Sequence, residues 1–396
     1  MDAARAQVAD KIKLDILSLT QEEDNKRGIR EVSRSFLCAN IVPTLEMYLY
    51  ATRASVGDDV YHEPCTKALE AHMANITGKE AALFVPSGTM SNQLALRTHL
   101  KQPPYAVLCD HRSHIVRYEV GGLAHHSGAH AQMVIPSNGH HITLEDVKEH
   151  AVLGEEIHTC PTTVISLENT LNGTIMPQDE ILRISEYAHS NGINMHLDGA
   201  RIWHVAAETG TPLDELLAPF DTVSLCFSKG LGAPIGSCLV GSKQFIARAR
   251  WFRKMFGGGM RQTGFMAGAA AYALTHNFPK LIDVHALTRK LETGLVELGV
   301  EIITVDTCMV FFDPSPIGVS YAEIVERASS LPDPLKVGGS RLVVHIQTSP
   351  EAVEDLLTVI RDLAANKKAA GFVPSVTKTN GLRSYNNVYV RGMAKH

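Results

Sequence analysis

Two short motifs, each at the end of an apolar run, strongly constrain what this chain can fold into. The first, HLDGAR, spans residues 196–201, and the second, LCFSKG, spans residues 225–230. The run from Thr222 to Phe227 is typical of a buried strand. One βαβ unit fits between the motifs, and parallel strands joined in this way end at the same edge of a sheet. Ligands bind in the crevice outside that edge, so we expect Asp198 and Lys229 to face one small molecule.

Asp198 and Lys229 have complementary chemistry. Lys229 is followed by Gly230, which leaves room around the amine for a Schiff base with a carbonyl. A buried carboxylate such as that of Asp198 can pair with a ring nitrogen and keep it protonated. Pyridoxal phosphate needs both groups, because its ring accepts electrons only while its nitrogen is protonated. Either residue alone is more often a solvated loop charge, so the pair carries the prediction of this cofactor.

Further motifs follow one another in order between Pro43 and Gln347. They are GDDVY at 57–61, GKEAALFVPSGTMSNQLALRTHL at 78–100, PPYAVLCD at 103–110, SLENT at 166–170, HLDGAR at 196–201, SKGLGAPIGS at 228–237 and GGGMRQTG at 257–264. Together they resemble the L-threonine aldolases, and the fungal branch of that family most. These enzymes depend on pyridoxal phosphate and have fold type I.

The resemblance implies an α/β fold, in which a large domain with a mostly parallel sheet is followed by a small α+β domain at the carboxyl terminus. We divide the chain into an N-terminal helix and arm (1–42), a large cofactor-binding domain (43–287), a small domain (288–370) and a tail (371–396). Apolar runs predict strands at 81–85, 106–109, 162–167 and 236–240 in the large domain, and at 302–312 and 341–345 in the small one.

The segment Ser87-Gly88-Thr89 follows a predicted strand and opens a predicted helix. Free amides at a helix start, beside a glycine that lets the backbone approach closely, can hold a phosphate. The resemblance implies that this segment holds the cofactor phosphate, mainly through Gly88 and Thr89. The same three residues are also a common helix cap.

The resemblance assigns three more residues to the cofactor. His114, seven residues before Gly121, would stack on the pyridine ring, and its imidazole could also shuttle a proton. Asp198 would pair with the ring nitrogen and Arg201 with the phenolic oxygen.

The remaining predicted site residues also come from the resemblance. His158, eleven residues before Asn169, matches a second active-site histidine and would act as a general base or position a water. Asn169 and Arg341 would bind the substrate, with the Arg341 guanidinium holding the carboxylate in a bidentate pair. Arg261 would reach a neighbouring subunit's active site, which implies a homodimer or homotetramer.

Composition excludes several other classes of function. The 37 basic and 42 acidic residues give a formal charge of −5 without a basic stripe, which argues against nucleic acid or an anionic membrane as partner. Seven dispersed cysteines without a CxxC pair indicate a reducing compartment. The sequence shows neither a signal peptide nor a transmembrane run, so we expect a cytoplasmic protein. We expect no metal site, because no cysteine or carboxylate joins His111 and His114 at ligand spacing.

The leading functional hypothesis is cleavage of a small β-hydroxy amino acid of the L-threonine type to glycine and an aldehyde. Lys229 would bind the cofactor, Arg341 would fix the substrate carboxylate, and His158 or a held water would remove the β-hydroxyl proton. Transamination and β-elimination are less supported branches of the same chemistry. A binding-only relative is disfavoured, because drift would seldom spare all the cofactor residues.

A second hypothesis is racemisation of alanine on the same scaffold, as in fungal alanine racemases that are similar to threonine aldolases. The family carries an Arg-Ser-Asp-Thr segment before the proline and threonine that are Pro43 and Thr44 here. Counting back without a gap places residues 36–39 (Phe, Leu, Cys, Ala) at those positions, whereas a two-residue insertion would let Arg34 and Ser35 match the first two. Both alignments lose the aspartate and the threonine. An apolar pocket wall suits a methyl side chain better than a hydroxyl, although drift in a loop would have the same appearance.

A second departure from the family follows, at Tyr61-His62-Glu63-Pro64-Cys65, where the family has Tyr-Gly-Glu-Asp. Two departures in neighbouring segments make drift alone less satisfactory as an explanation. Racemisation also needs a second proton carrier opposite Lys229, for which His114, His158 or a tyrosine are candidates.

Overall fold

The computed structural model describes residues 22–37, 41–55, 57–58, 63–154 and 156–373. Most of the predicted N-terminal helix, part of the altered N-terminal segment, Tyr61, His62 and most of the predicted tail lie outside these ranges. Within them, no helix is long and apolar enough to cross a membrane.

A seven-stranded sheet forms the centre of the large domain. Its strands are β1 (Ala81–Val85), β2 (Ala106–Asp110), β3 (His130–Val134), β4 (Thr162–Glu168), β5 (Asn194–Gly199), β6 (Thr222–Cys226) and β7 (Ser237–Gly241). Their order across the sheet is β1-β7-β6-β5-β4-β2-β3. The pairs β2–β3, β2–β4, β4–β5 and β5–β6 are parallel, whereas β7 runs antiparallel to β1 and β6. This is the predicted mostly parallel sheet.

A three-stranded antiparallel sheet belongs to the second unit. It consists of β8 (Glu301–Thr304), β9 (Met309–Asp313) and β10 (Arg341–Val343), in the order β10-β9-β8.

Fifteen described α-helices surround the two sheets. They are α1 (Glu22–Ser33), α2 (Leu45–Ala51), α3 (Pro64–Ile76), α4 (Gly88–His99), α5 (His114–Arg117), α6 (Gly122–Ser127), α7 (Leu144–His150), α8 (Gln178–Ser190), α9 (Ile202–Thr209), α10 (Leu213–Leu217), α11 (Lys243–Met255), α12 (Gly264–Asn277), α13 (Leu281–Glu297), α14 (Tyr321–Ser329) and α15 (Pro350–Ala369). Short 3₁₀ turns lie at Phe278–Lys280 and Ser315–Ile317.

The helix α13 contributes to both hydrophobic cores. Leu281 at its start is buried with the residues that cover the large sheet, whereas Val284, Leu291 and Leu295 are buried with those of the small sheet. Phe36 also packs in the second core. The chain thus crosses between the cores within this helix, close to the predicted limit at residue 287, although the predicted division into domains remains a prediction.

Two predicted strands differ from the observed ones. The run 302–312 is a hairpin of β8 and β9 rather than one strand, because the polar pair Asp306-Thr307 interrupts it. Both residues bond across to the large domain, where Ile175 N donates to Asp306 Oδ2 and Thr307 Oγ1 donates to Gly173 O. The run 341–345 forms a strand only as far as Val343.

Candidate functional site

Asp198 and Lys229 lie on neighbouring parallel strands, as predicted. Asp198 is the fifth residue of β5, and β5 pairs with β6 in parallel register, with His196 opposite Thr222. Lys229 follows the end of β6 by three residues and is half-buried. The helices α9 and α10 connect the two strands. The carboxyl edge of the sheet therefore holds a buried carboxylate and a lysine, one crossover apart.

The side chain of Asn92, on α4, orients the Asp198 carboxylate. Its Nδ2 donates to Asp198 Oδ2 at 2.7 Å and to Glu119 Oε1 at 2.9 Å. The backbone N–H of Ala200 donates to the other oxygen, Oδ1, at 3.0 Å. Asp198 is 4% exposed, so these hydrogen bonds replace the water that a carboxylate needs. One amide group thus connects the two carboxylates of the site.

His114 joins this group through Glu119. Its Nδ1 lies 2.8 Å from Glu119 Oε1, and Glu119 is itself buried. Burial disfavours the charged ring, but the hydrogen bond to Glu119 and the charge of Asp198 outweigh it, so the pKa of His114 is raised above its usual value. One ligand atom from each of His114, Glu119 and Asp198 lies within 4.8 Å of the others. Because the Asn92 amide protons already point at both carboxylates, this group suits a hydrogen bond to the His114 ring better than a metal ion.

Glu168 is a site residue that the sequence did not identify. It ends β4 directly beside Asp198 in the ladder, so both side chains leave the sheet on the same face. Its Oε2 accepts the backbone N–H of His114 at 2.9 Å. Although the residue is partly exposed to a cavity, its carboxylate is surrounded by protein, and burial followed by the charge of Asp198 raises the pKa of Glu168 to about 8. These surroundings therefore favour the protonated form of the Glu168 side chain over the carboxylate.

The cavity beside Glu168 has a volume of about 400 Å³. Asp110, His141 and Met176 line it on the side of the large sheet, and Asp306, from the turn between β8 and β9, lines it on the other side. Asp198 and Lys229 are not among the described residues of its wall. Glu168 therefore lies between this cavity and the Asp198 group.

The predicted phosphate-binding residues are at the start of α4. Ser87 caps the helix, and its hydroxyl accepts the N–H of Met90 at 3.2 Å. A Cβ atom at Gly88 would lie 2.7 Å from Cys226 Sγ, so only glycine fits between the helix and β6. The first amides of a helix lack partners within it. Gly88 and Thr89 can therefore offer their backbone N–H groups to an anion.

Arg201 provides a second place for an anionic oxygen. It precedes α9, and its Nε is buried without a hydrogen-bond partner among the described residues. A buried cationic donor without an acceptor is costly, so this atom fits a ligand oxygen. The residues thus suit pyridoxal phosphate, with Arg201 for the phenolic oxygen, Asp198 for the ring nitrogen and the start of α4 for the phosphate.

Asn169 and Arg341 lie on different domains. Asn169 directly follows β4 and is buried, and its Oδ1 accepts the N–H of Met176 at 3.2 Å. Its backbone N–H donates to Asp198 O at 3.1 Å, which places it next to the site. Arg341 opens β10 in the small domain, is half-buried, and donates from Nη2 to Leu37 O at 3.2 Å.

The structure does not bring His158 and Arg261 together with the other predicted residues in a single chain. His158 is exposed in the loop before β4, and a seven-residue strand, roughly 20 Å long, separates that loop from Glu168. Arg261 has a side chain that is 71% exposed, with Nε 2.6 Å from Asp58 Oδ2. The functions predicted for both residues remain predictions.

The expectation that the altered N-terminal segment lines a pocket is wrong for Phe36. Its side chain is fully buried in the core of the small domain. Its N–H donates to Lys336 O at 2.8 Å, and its carbonyl accepts from Val343 N at 3.0 Å. Phe36 is thus a packing residue, because the chain here runs beside β10 and pairs with it. Cys38 and Ala39 lie outside the described residues.

Comparisons with known proteins agree with this geometry. The model of a family described as beta-eliminating lyases matches residues 40–315. The low specificity L-threonine aldolase of Saccharomyces cerevisiae is 42% identical over 324 residues, which cover 81% of this chain and 83% of that protein. The alanine racemase TOXG of Cochliobolus carbonum is 37% identical over 331 residues, covering 81% and 85%.

Solved structures show the same fold. The threonine aldolase of Leishmania major has a TM-score of 0.72 at 17% sequence identity, and the match covers 83% of this chain and 99% of that one. The chain therefore belongs to the beta-eliminating lyases and, among them, to the L-threonine aldolase family of pyridoxal-phosphate enzymes with fold type I, as its motifs predict.

Proposed function

We propose that this protein is a pyridoxal-phosphate-dependent lyase that cleaves a small L-β-hydroxy amino acid, L-threonine or L-allo-threonine, to glycine and an aldehyde. The observation that carries the proposal is the buried Asp198 carboxylate, held by Asn92 and Ala200, one crossover away from Lys229. The names of the fungal relatives support the choice of substrate.

Each site residue has a defined task. Pyridoxal phosphate supplies an electron sink for negative charge at the carbon beside the substrate amine. Asp198 holds the ring nitrogen protonated, Arg201 binds the phenolic oxygen through its partnerless Nε, and Lys229 binds the aldehyde carbon. Ser87, Gly88 and Thr89 at the start of α4 hold the phosphate.

Arg341 and His114 act on the substrate. The Arg341 guanidinium binds the carboxylate from the small domain, and Asn169 helps to hold the substrate at the end of β4. His114 is the better supported proton acceptor for the β-hydroxyl group, because Glu119 stabilises the imidazolium that results. His158 would need to come from another subunit, since its own chain holds it at the opposite edge of the sheet.

We also propose that the protein is a homodimer or homotetramer with active sites shared between subunits. The exposed guanidinium of Arg261 and the family resemblance support a role for this arginine in a neighbouring site. The cytoplasmic location inferred from the sequence remains a prediction.

Alanine racemisation is the second candidate, and Glu168 favours it. Racemisation needs a proton donor and a proton acceptor on opposite faces of the substrate carbanion. Lys229 can serve one face, and Glu168, beside Asp198, is an acid whose pKa is raised by burial and by the charge of Asp198, which favours a proton on its side chain. The 37% identity to an alanine racemase also supports this alternative.

One experiment separates the two candidates. The holoenzyme is incubated with an equimolar mixture of L-alanine and L-threonine, and the products are resolved by chiral chromatography. We expect glycine to accumulate while alanine stays in the L form. D-alanine that forms faster than glycine would replace the lyase assignment by the racemase. Replacement of Lys229 by alanine tests the cofactor assignment, because it should abolish the visible absorbance of the bound cofactor.

A further inference from the structure

A pair of buried histidines lies behind the loop that carries Lys229. His204 on α9 and His285 on α13 are 2% and 1% exposed. Nδ1 of His204 lies 2.9 Å from Nε2 of His285, and Nδ1 of His285 lies 2.7 Å from Glu208 Oε2. The other oxygen of Glu208 accepts from Arg289 Nη1 at 2.8 Å. A continuous chain of polar contacts thus connects the protein interior with the surface.

Both histidines are neutral near pH 7. Burial, followed by the charges of His285 and Arg201, lowers the pKa of His204 well below its usual value. Burial also lowers the pKa of His285, and the attraction of Glu208 does not outweigh it. In a neutral imidazole, one ring nitrogen carries the proton and the other has a free lone pair.

Glu208 determines which nitrogens carry the protons. The contact between His285 and Glu208 is at ion-pair distance, although it lacks the alignment of a full hydrogen bond. A carboxylate 2.7 Å away repels a lone pair and therefore requires a proton on Nδ1 of His285. Nε2 of His285 is then an acceptor, so Nδ1 of His204 must donate to it. Nε2 of His204 is left with the lone pair.

That lone pair faces the loop of Lys229. A Cβ atom at Gly230 would lie only 2.5 Å from Nε2 of His204, so the ring lies directly against the residue after the lysine. Two hydrogen bonds also hold this loop, from Gly232 N to Lys229 O at 3.0 Å and from Asn277 Nδ2 to Leu231 O at 2.7 Å.

We propose that Glu208, His285 and His204 form a positioning relay, which fixes the tautomer of His204 and places its lone pair against the Lys229 loop. The charged groups that act on the two histidines are Arg201 on the side of the site, and Glu208 and Arg289 on the outer side. The electron-rich Nε2 of His204, behind the loop, stabilises positive charge on the nitrogen of Lys229. The relay therefore favours the protonated form of that nitrogen when Lys229 binds the cofactor. The inference rests on the proposed function, in which Lys229 is that lysine.

A pH titration of the visible absorbance of the holoenzyme tests the relay. In Glu208→Gln the tautomer is no longer fixed, and the titration midpoint should fall by about 0.5 pH unit, the size expected for a nearby dipole. His204→Asn, which keeps a donor toward His285 but lacks the ring nitrogen, should lower the midpoint similarly. Arg289→Gln is the matched control, since it removes the partner of Glu208 without affecting the charge of Glu208, and it should leave the midpoint unchanged. Midpoints like that of the wild type in both relay variants would overturn the proposal.

A double-mutant cycle tests the contact without relying on the lysine assignment. Gly230→Ala alone should lower the Tm of the holoenzyme, because its methyl group overlaps His204. His204→Ala should make room for that methyl group, so the double variant should lose less than the sum of the two single losses. Additive losses of Tm would show that the His204 ring does not contact the loop. If Lys229→Ala retains the visible absorbance, the proposed function fails, whereas this cycle still decides whether the ring contacts the loop.

Discussion

The hydrogen bond between His114 and Glu119 should set the acid limb of the pH–rate profile. It is 2.8 Å long and charge-assisted, and the Glu119 side chain is fully buried while that of His114 is 29% exposed. A hydrogen bond to a charged group is worth about 1.5–3 kcal/mol, and the partial exposure of the ring reduces this to roughly 1–1.5 kcal/mol. In Glu119→Gln the neutral amide loses most of that energy, so the pKa of His114 should fall from its raised value.

The assay is the pH dependence of kcat/KM for the aldol cleavage. A proton acceptor must be neutral, so activity falls as His114 becomes protonated, and the variant should move this acid limb to lower pH. Gln93→Met is the matched control, because Gln93 donates to the other oxygen of Glu119 at 2.5 Å and its loss leaves the charge in place. An acid limb at the same pH in wild type and Glu119→Gln would refute the assignment of His114.

The same bond contributes to stability with a definite sign. The pKa of His114 is raised in the folded protein, so the stabilisation is fully present below the pKa of the unfolded chain and is lost as the pH rises through the folded value. Glu119→Gln should therefore lower the free energy of unfolding more at about pH 5.5 than at about pH 8.5. An equal loss at both values would mean that the bond does not favour the charged ring.

Three more results are expected. In Glu168→Gln the amide oxygen can still accept from His114 N, but the side chain can no longer ionise, whereas the pKa of Glu168 is raised to about 8. The Tm of the variant relative to that of the wild type should therefore rise between about pH 4.5 and pH 8. A difference in Tm that stays constant with pH in calorimetry would contradict this. Gly88→Ala should weaken cofactor binding at least about tenfold in a fluorescence titration, because its Cβ would lie 2.7 Å from Cys226 Sγ, whereas Gly28→Ala, with nothing within 4 Å, should not. Phe36→Ala should cost about 3–5 kcal/mol in urea unfolding without changing the ratio of glycine to D-alanine; a changed ratio would mean that Phe36 acts on the substrate.

The sequence predicted the sheet edge well because its signals are local. Buried strands show as apolar runs, and the right-handed crossover then places Asp198 and Lys229 at one edge. Residues that reach this edge from distant parts of the chain were missed. Asn92 is 106 residues from Asp198, and His204 is 81 residues from His285, so no periodicity connects them. Glu168 lies inside the motif SLENT, but its raised pKa depends on burial and on the charge of Asp198 on the neighbouring strand.

Strand limits in the small domain were harder to predict for a similar reason. The run 302–312 is mostly apolar, and the polar pair Asp306-Thr307 inside it can mark either a turn or the exposed positions of one strand. The turn lies at Asp306 because its carboxylate accepts a hydrogen bond from Ile175 in the other domain. Phe36 was misread because its partners, Lys336 and Val343, follow it by about 300 residues in the chain.

The described part of the altered N-terminal segment contacts Arg341 through a main-chain oxygen rather than through a side chain. Arg34 is buried and bonded to Asp355 Oδ2 at 2.7 Å and to Asp333 O at 2.8 Å, which ties the segment to the small domain. Leu37 directly follows Phe36 and is the last described residue before the gap at 38–40. Its carbonyl oxygen accepts a hydrogen bond from the Arg341 guanidinium. If Arg341 binds the substrate as proposed, this bond would compete with the substrate carboxylate for one Arg341 N–H group. Because the acceptor is a main-chain oxygen, substitution of Leu37 would not remove the bond, so the backbone position of Leu37 would influence how Arg341 meets the substrate.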